Sequence, residues 1–191
     1  ERGACGGGVY GIGTEGQMME MTGGVISLNT ATGTRSSGGG ISLGSRNDRL
    51  HDGLTARLVM NGGTLTKNHA DGWGGGINMS IGSAEINAGN ITSNVAQGSM
   101  SGLQNDYWIG GGIYVDKQAT LHIKNVEIAE NTAQWGGGGI AACPTATVEI
   151  YRIQGGVIHD NRSKDVYKNY LSDIVVNQTN YRPAIAISSY M

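Results

Sequence analysis

The chain has 191 residues, 13 Lys and Arg against 15 Asp and Glu, and a net charge of −2. That length suits a single domain with a real core, and the balanced charge lacks the basic patch that nucleic acid or an anionic membrane surface requires. With 34 Gly, 2 Pro and no three-residue glycine period, the chain is neither collagen-like nor low-complexity, and no apolar stretch has the length of a helical membrane span.

The first element opens with "GGGVYGI" at Gly6 and is followed by "MTGGVISLNTA", which ends its pattern at Asn29. The second opens with "GGGISLG" at Gly38 and continues, after the charged stretch Gly44–Arg57, into "MNGGTLTKNHA" with Asn68. The third, "GGGINMS" at Gly74, leads to "INAGNITSNVA" with Asn94. The fourth, "GGGIYVD" at Gly110, leads to "IKNVEIAENTA" with Asn131. The fifth, "GGGIAAC" at Gly137, leads to "IQGGVIHDNRS" with Asn161. Successive runs are spaced by 27 to 36 residues, and the same two blocks recur in the same order five times. Self-similarity of this period marks a repeat architecture. From about residue 171 a partial sixth copy follows, with Ile174, Ile185 and Ile187 in apolar positions and Pro183 opening its last strand.

Alternation in "GIYVD" and "TLHIKN" has a period of two, so these stretches predict strands. Glycine is too frequent for helices. A repeat of about three short strands cannot bury an apolar face alone, but stacked repeats can. The expected fold is therefore all-β: a right-handed parallel β-helix of five to six coils, with three short strands per coil. It forms one domain over residues 1–191. Handedness rests on the usual crossover preference together with the repeat resemblance described below. Three inward columns are predicted. One runs Val9, Ile41, Ile77, Ile113, Ile140, with Gly11, Leu43, Met79, Val115 and Ala142 two residues on. A second is Met21, Met60, Ile86, Ile123, Ile153, and a third is Ile26, Leu65, Ile91, Ile128, Ile158. Glycine is expected where stacked bends bring backbones close. Asn29, Asn68, Asn94, Asn131 and Asn161 are expected to form a structural ladder inside a turn, since Asn tolerates left-handed φ and its amide can bond to the next Asn.

The repeats "IAENTAQWGGGGIA" and "ITSNVA…GGGIYV" resemble those of chlamydial polymorphic outer membrane proteins, which carry GGA[ILV] and FxxN motifs, and of bacterial surface proteins with right-handed parallel β-helix repeats. The similarity runs from Gly6 to about Asn177; Ile or Leu replaces the Phe of FxxN, and Gly replaces the Ala of GGA. The resemblance implies a surface-displayed or extracellular bacterial protein with an adhesive role. The opening "ERGACGGGVYGIG" begins in mid-pattern, which implies a piece of a longer surface protein.

Several β-helix proteins act on polysaccharides, and that chemistry calls for paired carboxylates about 5–10 Å apart. The predicted outward positions of the post-glycine strand, Tyr10, Ser42, Asn78, Tyr114 and Ala141, are not acidic. Those before the second column are Glu20, Val59, Glu85, His122 and Arg152; Glu85 and His122 fall on neighbouring coils, as an ordinary cross-strand pair would. Glu130 and Asp160 also stack, either as solvated turn residues or as a cation-attracting pair. No zinc-type His or Cys spacing and no calcium-binding glycine repeat occurs, so no metal and no cofactor is expected. Cys5 and Cys143 lie four coils apart, too far for a disulfide.

Trp73, Trp108 and Trp135 each stand one or two residues before a glycine run, with Tyr107 beside Trp108, Tyr114 past the bend, and Asp71, Asp106 and Asp116 nearby. The rings either cover the bare glycine corner or form an exposed strip for sugars or a protein partner. The candidate ligand-binding set is Trp73, Trp108, Trp135, Tyr107, Tyr114 and Asp116, with no catalytic residue. The stretches Gly44–Arg57, Gln97–Trp108 and Asn161–Tyr170 are the other candidate sites, because loops on a rigid scaffold vary freely. The expected function is that of a non-catalytic adhesin-like or structural segment. Its partners would be a host surface glycan or protein, or a second copy, with no nucleic acid and no membrane insertion. The rival is a carbohydrate-active enzyme.

Overall fold

A computed structural model describes residues 4–15, 17–33, 36–44, 53–98, 109–134, 136–143, 146–152, 156–163, 174–176 and 185–189. Among these the elements are all strands, with no helix. They form several sheets, and in the three large ones the neighbours pair in chain order. The sheet that follows the glycine runs contains Val9–Gly11, Ile41–Leu43, Ile77–Met79, Ile113–Val115, Ile140–Ala142 and Ile174–Val176. A long sheet contains Met19–Met21, Arg57–Met60, Gly82–Thr92, Ala119–Ala129, Thr147–Arg152 and Ile185–Ser189, with Val25–Ser27, Thr64–Thr66 and Val157–His159 completing its second half. A third contains Thr30–Ala31, His69–Ala70, Val95–Ala96, Thr132–Ala133 and Arg162–Ser163. Each repeat thus adds one strand level to every large sheet, and every pairing in them is parallel.

The glycine registers align the levels. Val9 pairs with Ile41, Ile41 with Ile77, Ile77 with Ile113, and Ile113 with Ile140. Ile26, Leu65, Ile91, Ile128 and Ile158 form a continuous column in the same way. Apolar residues of one chemistry therefore lie one strand spacing apart, about 4.8 Å. The core runs through the interior of these levels: Leu43, Met60, Leu65, Ile77, Met79, Ile86 and Ile91 are all fully buried.

Four features differ from the sequence expectation. In repeats three and four the second and third strands are continuous, as Gly82–Thr92 and Ala119–Ala129. The pairing skips Asn87 and Lys124 without ending the strand, and resumes at Ala88 and Asn125. In the second column, Ile123 pairs with Ile150 rather than Ile153, and His122 with Glu149 rather than Arg152. Repeat five is therefore longer between Ile150 and Val157 than repeat four is between their partners Ile123 and Glu127. The predicted outward positions Ser42, Asn78, Tyr114 and Ala141 are buried, so both faces of that sheet are covered at its second to fifth strands. Finally, left-handed φ belongs not to the asparagines but to the residue before each: Leu28 at 59°, Lys67 at 55°, Ser93 at 56°, Glu130 at 56° and Asp160 at 54°. That twist swings each asparagine side chain inward, where its amide meets its neighbours.

The glycine run is explained at Gly74 and Gly75. Gly74 has a φ of +65°, and a Cβ there would strike the Ile77 carbonyl. A Cβ on Gly75 would come within 2.5 Å of the carbonyl oxygens of Gly111, on the next level, and Val95, across the interior. No side chain fits between backbones that close.

Candidate binding surface

The asparagine column is a continuous chain of amides. Nδ2 of Asn29, Asn68 and Asn94 each donates to Oδ1 of the next asparagine at 3.0 Å, and Nδ2 of Asn131 does so to Asn161 at 2.9 Å. The same acceptor oxygens take the backbone N–H of the preceding asparagine, at 2.9 to 3.2 Å. The second amide proton goes back to a carbonyl of the previous level, as from Asn131 to Ile91 at 2.8 Å. Asn68, Asn94, Asn131 and Asn161 are fully buried. These amides spend their donors and acceptors on one another and on turn carbonyls, which is what burial of polar groups demands.

Of the aromatic candidates, Trp108, Trp135 and Tyr107 lie outside the described residues, as does the neighbouring Asp106. Trp73, Tyr114 and Asp116 are 6%, 2% and 1% exposed, so these three do not form an open strip. The rings of Trp73 and Tyr114 stack with centroids 6.4 Å apart and planes 29° apart. Trp73 sits in a column with Cys5 and Ser37, immediately before its glycine run. Beneath this cover lies a polar layer. Asn78 Nδ2 donates to Ser42 Oγ at 3.2 Å and to Ser80 Oγ at 3.0 Å. Tyr114 Oη contacts Cys143 Sγ at 3.1 Å, and the thiol donates onward to Asp116 Oδ1 at 3.4 Å. The Lys117 N–H also serves Asp116 Oδ1, at 2.7 Å. The small polar residues Ser37, Ser42 and Ser80 are the sequence signal for this buried layer; Ser42, at a predicted outward position, looks like an ordinary solvated strand residue. Both cysteines are free thiols.

The charged candidates find local partners. Glu85 pairs with His122 in register, and its carboxylate takes Arg57 Nη2 at 3.0 Å. Glu130 accepts from Ser93 Oγ at 2.9 Å. Asp160 bonds His159 Nδ1 at 2.7 Å, and Glu127 meets the other ring nitrogen at 3.4 Å. Those two carboxylates, Asp160 first, hold the His159 imidazole above its ordinary value. Asp71 is held below the usual carboxylate range, chiefly by the Gly33 N–H that it accepts at 2.9 Å, with His69 adding to the effect. Among the described residues no group of three His, Cys, Asp or Glu is placed to hold a metal ion.

One open cleft, of about 240 Å³, is lined by Tyr10, Gly11, Ile12, Gly13, Gln17, Met18, Met19, Ala56 and Arg57. Gly13–Thr14 pairs antiparallel with Leu54–Thr55, which ties the turn of repeat one to the end of the Gly44–Arg57 stretch. Gln17 braces the same turn by accepting the Thr14 N–H at 3.0 Å. Tyr10 is 42% and Met18 48% exposed. The cleft thus presents an aromatic face, a thioether and a guanidinium, on strands fixed by the stack behind them. Residues 45–52, which hold Arg46, Asp48, Arg49 and His51, lie outside the described residues, as do residues 99–108 and 164–170 of the other two candidate loops. No family model, no curated protein and no solved structure matches this chain.

Proposed function

We propose that the chain is a right-handed parallel β-helix segment of a bacterial surface protein, acting as a non-catalytic adhesin-like module toward a glycan or protein partner. The register that sets each repeat directly on the last supports the solenoid reading, because a repeat with strands in three sheets returns to its start after each turn. The observation that carries the binding reading is the Tyr10 cleft. An exposed aromatic face beside a guanidinium is the kind of surface that holds a sugar ring or a partner side chain. At about 240 Å³ the cleft is small for a whole oligosaccharide and suits one ring or one side chain.

A glycan array on the parent chain, followed by calorimetry on Tyr10→Ala and Arg57→Ala, tests the reading. Each variant should bind about tenfold or more weakly, about 1.4 kcal/mol, with strand content unchanged by circular dichroism. Equal binding by parent and both variants removes the cleft from consideration. Time-dependent shortening of a polysaccharide by the parent overturns the non-catalytic reading.

A further inference from the structure

The chain holds one Asn-Gly pair, Asn61–Gly62, in the bend between Arg57–Met60 and Thr64–Thr66. Packing demands the glycine: a Cβ on Gly62 would lie 2.7 Å from the Thr22 carbonyl oxygen. Its backbone nitrogen therefore has no side chain beside it, and its N–H donates to no described residue. Asn61 is exposed, and its own N–H is held by the Met21 carbonyl at 2.8 Å.

Both ends of the Asn61 carboxamide are engaged by side chains of the neighbouring levels. Nδ2 donates to Glu20 Oε1 at 2.9 Å, and Oδ1 accepts Asn87 Nδ2 at 2.8 Å. Glu20, Asn61 and Asn87 are far apart in sequence, and only the stacking of three levels brings them together. The asparagines of the turn ladder differ on each count. Asn68, Asn94, Asn131 and Asn161 are buried, and His, Val, Thr and Arg follow them.

We infer that Asn61 is a self-modification site, at which the chain converts asparagine to aspartate or isoaspartate with Glu20 and Asn87 assisting. The Gly62 nitrogen attacks Cγ of Asn61. The N–Cγ bond forms and the Cγ–Nδ2 bond breaks; the Gly62 nitrogen loses one proton, the departing nitrogen gains one, and ammonia leaves. Water then opens the cyclic imide at either carbonyl. During the attack Oδ1 gains negative charge, and the Asn87 N–H group is already aimed at it. The departing nitrogen needs a proton, and Glu20 Oε1 touches it, in place to relay one. Glycine at position 62 gives the backbone the freedom to reach the cyclic geometry. The product sets a new carboxylate beside Glu20 in place of a donor, so an attraction between the first two levels becomes a repulsion. The inference is independent of the ligand that the Tyr10 cleft takes.

The test is to incubate the full chain at neutral pH and follow each asparagine by peptide mapping, with aspartate and isoaspartate separated before mass spectrometry. Asn61 should convert before every other asparagine. Glu20→Gln should slow its conversion about tenfold, by removing the proton relay. Asn87→Ala should slow it about fivefold, the worth of one hydrogen bond to the transition state. A structural role alone predicts the reverse, since loosening the bend frees the backbone and speeds closure. In urea the three side chains separate, and the parent and both variants should convert at one rate. Equal or faster conversion in either folded variant, a rate difference that persists in urea, or another asparagine converting first would overturn the inference.

Discussion

Gly76 lies directly against Asn94: a Cβ on the glycine would sit 3.1 Å from the asparagine amide nitrogen. Gly40 meets Asn68 in the same way and Gly112 meets Asn131. The two blocks that recur along the chain are therefore one structural unit, with glycine making room for the amide that satisfies the opposite turn.

Replacing Asn131 with Leu should cost about 3 kcal/mol or more, since it orphans several buried groups at about 1–3 kcal/mol each. Its Oδ1 serves Asn94 twice, and its Nδ2 serves Ile91 and Asn161. Asn29→Leu should cost clearly less, because Asn29 is the half-buried end of the chain of amides. Urea unfolding of the two variants gives the comparison; equal losses would mean that position in the ladder does not matter.

Gly75→Ala and Gly23→Ala form a second contrast. The first puts a methyl group against two backbone carbonyls, while a Cβ at Gly23 meets nothing within 4 Å. Gly75→Ala should lose about 4 kcal/mol or more, at the severe end for point mutations. Gly23→Ala should stay within about 0.5 kcal/mol of the parent. A stable Gly75→Ala variant in thermal melts would show that the levels can separate locally.

Leu28→Gly should stabilise the chain by about 0.5–1 kcal/mol. Left-handed φ costs an L-residue roughly 1–2 kcal/mol, and the added freedom of glycine in the unfolded chain offsets roughly half of that. Leu28 has a φ of 59° and is 75% exposed, so it loses little packing. Glu130→Gly should gain less, because it also removes the bond from Ser93. Differential scanning calorimetry reads both.

Trp73→Ala should destabilise by about 3–5 kcal/mol, as truncation of a buried aromatic does. The 6% exposure of Trp73 and its stack on Tyr114 make this a packing effect. A variant that unfolds at the parent's urea midpoint would place the ring outside the core.

An NMR titration should find His159 above its ordinary value of 6.5, raised first by Asp160 and then by Glu127. A histidine raised by folding contributes stability below its unfolded value, and that contribution is lost as pH rises through the folded one. Asp160→Asn should bring the resonance back toward 6.5 more than Glu127→Gln does. The opposite order would reassign the main partner.

Most of the level-to-level register was legible in the sequence, because Ile41, Ile77, Ile113 and Ile140 follow glycine runs that tolerate no slip. Counting back from the asparagine misplaced the fifth member of the second column, since Ile150 precedes extra residues that composition does not flag. The left-handed residue was misassigned for a different reason. Asn is the residue type that suits such φ, yet in this turn Lys67 and Glu130 bear the strain so that the amides can point inward. Tyr114 read as outward because strand alternation put it opposite the core side, while for Trp73 the sequence left a cover over the glycine corner and an exposed strip both open, and burial favours the cover. The Tyr10 cleft was also hidden, since it depends on an antiparallel pair between residues far apart in sequence.

The uniform register also bears on how such a chain can change length over generations. Levels touch through matched faces, with Ile41 on Ile77 and Ile77 on Ile113 in the same pairing. A recombination event that excised one whole repeat, joining Trp73 to Gly110, would bring Gly38–Leu43 against Gly110–Val115 with the same glycines, isoleucines and amides in place. Loss of a single residue inside one of the two blocks would instead turn that level's side chains to the wrong face. Inheritance by whole units is therefore the tolerated route, and the variable stretches between the two blocks are where lineages can diverge without disturbing the rest.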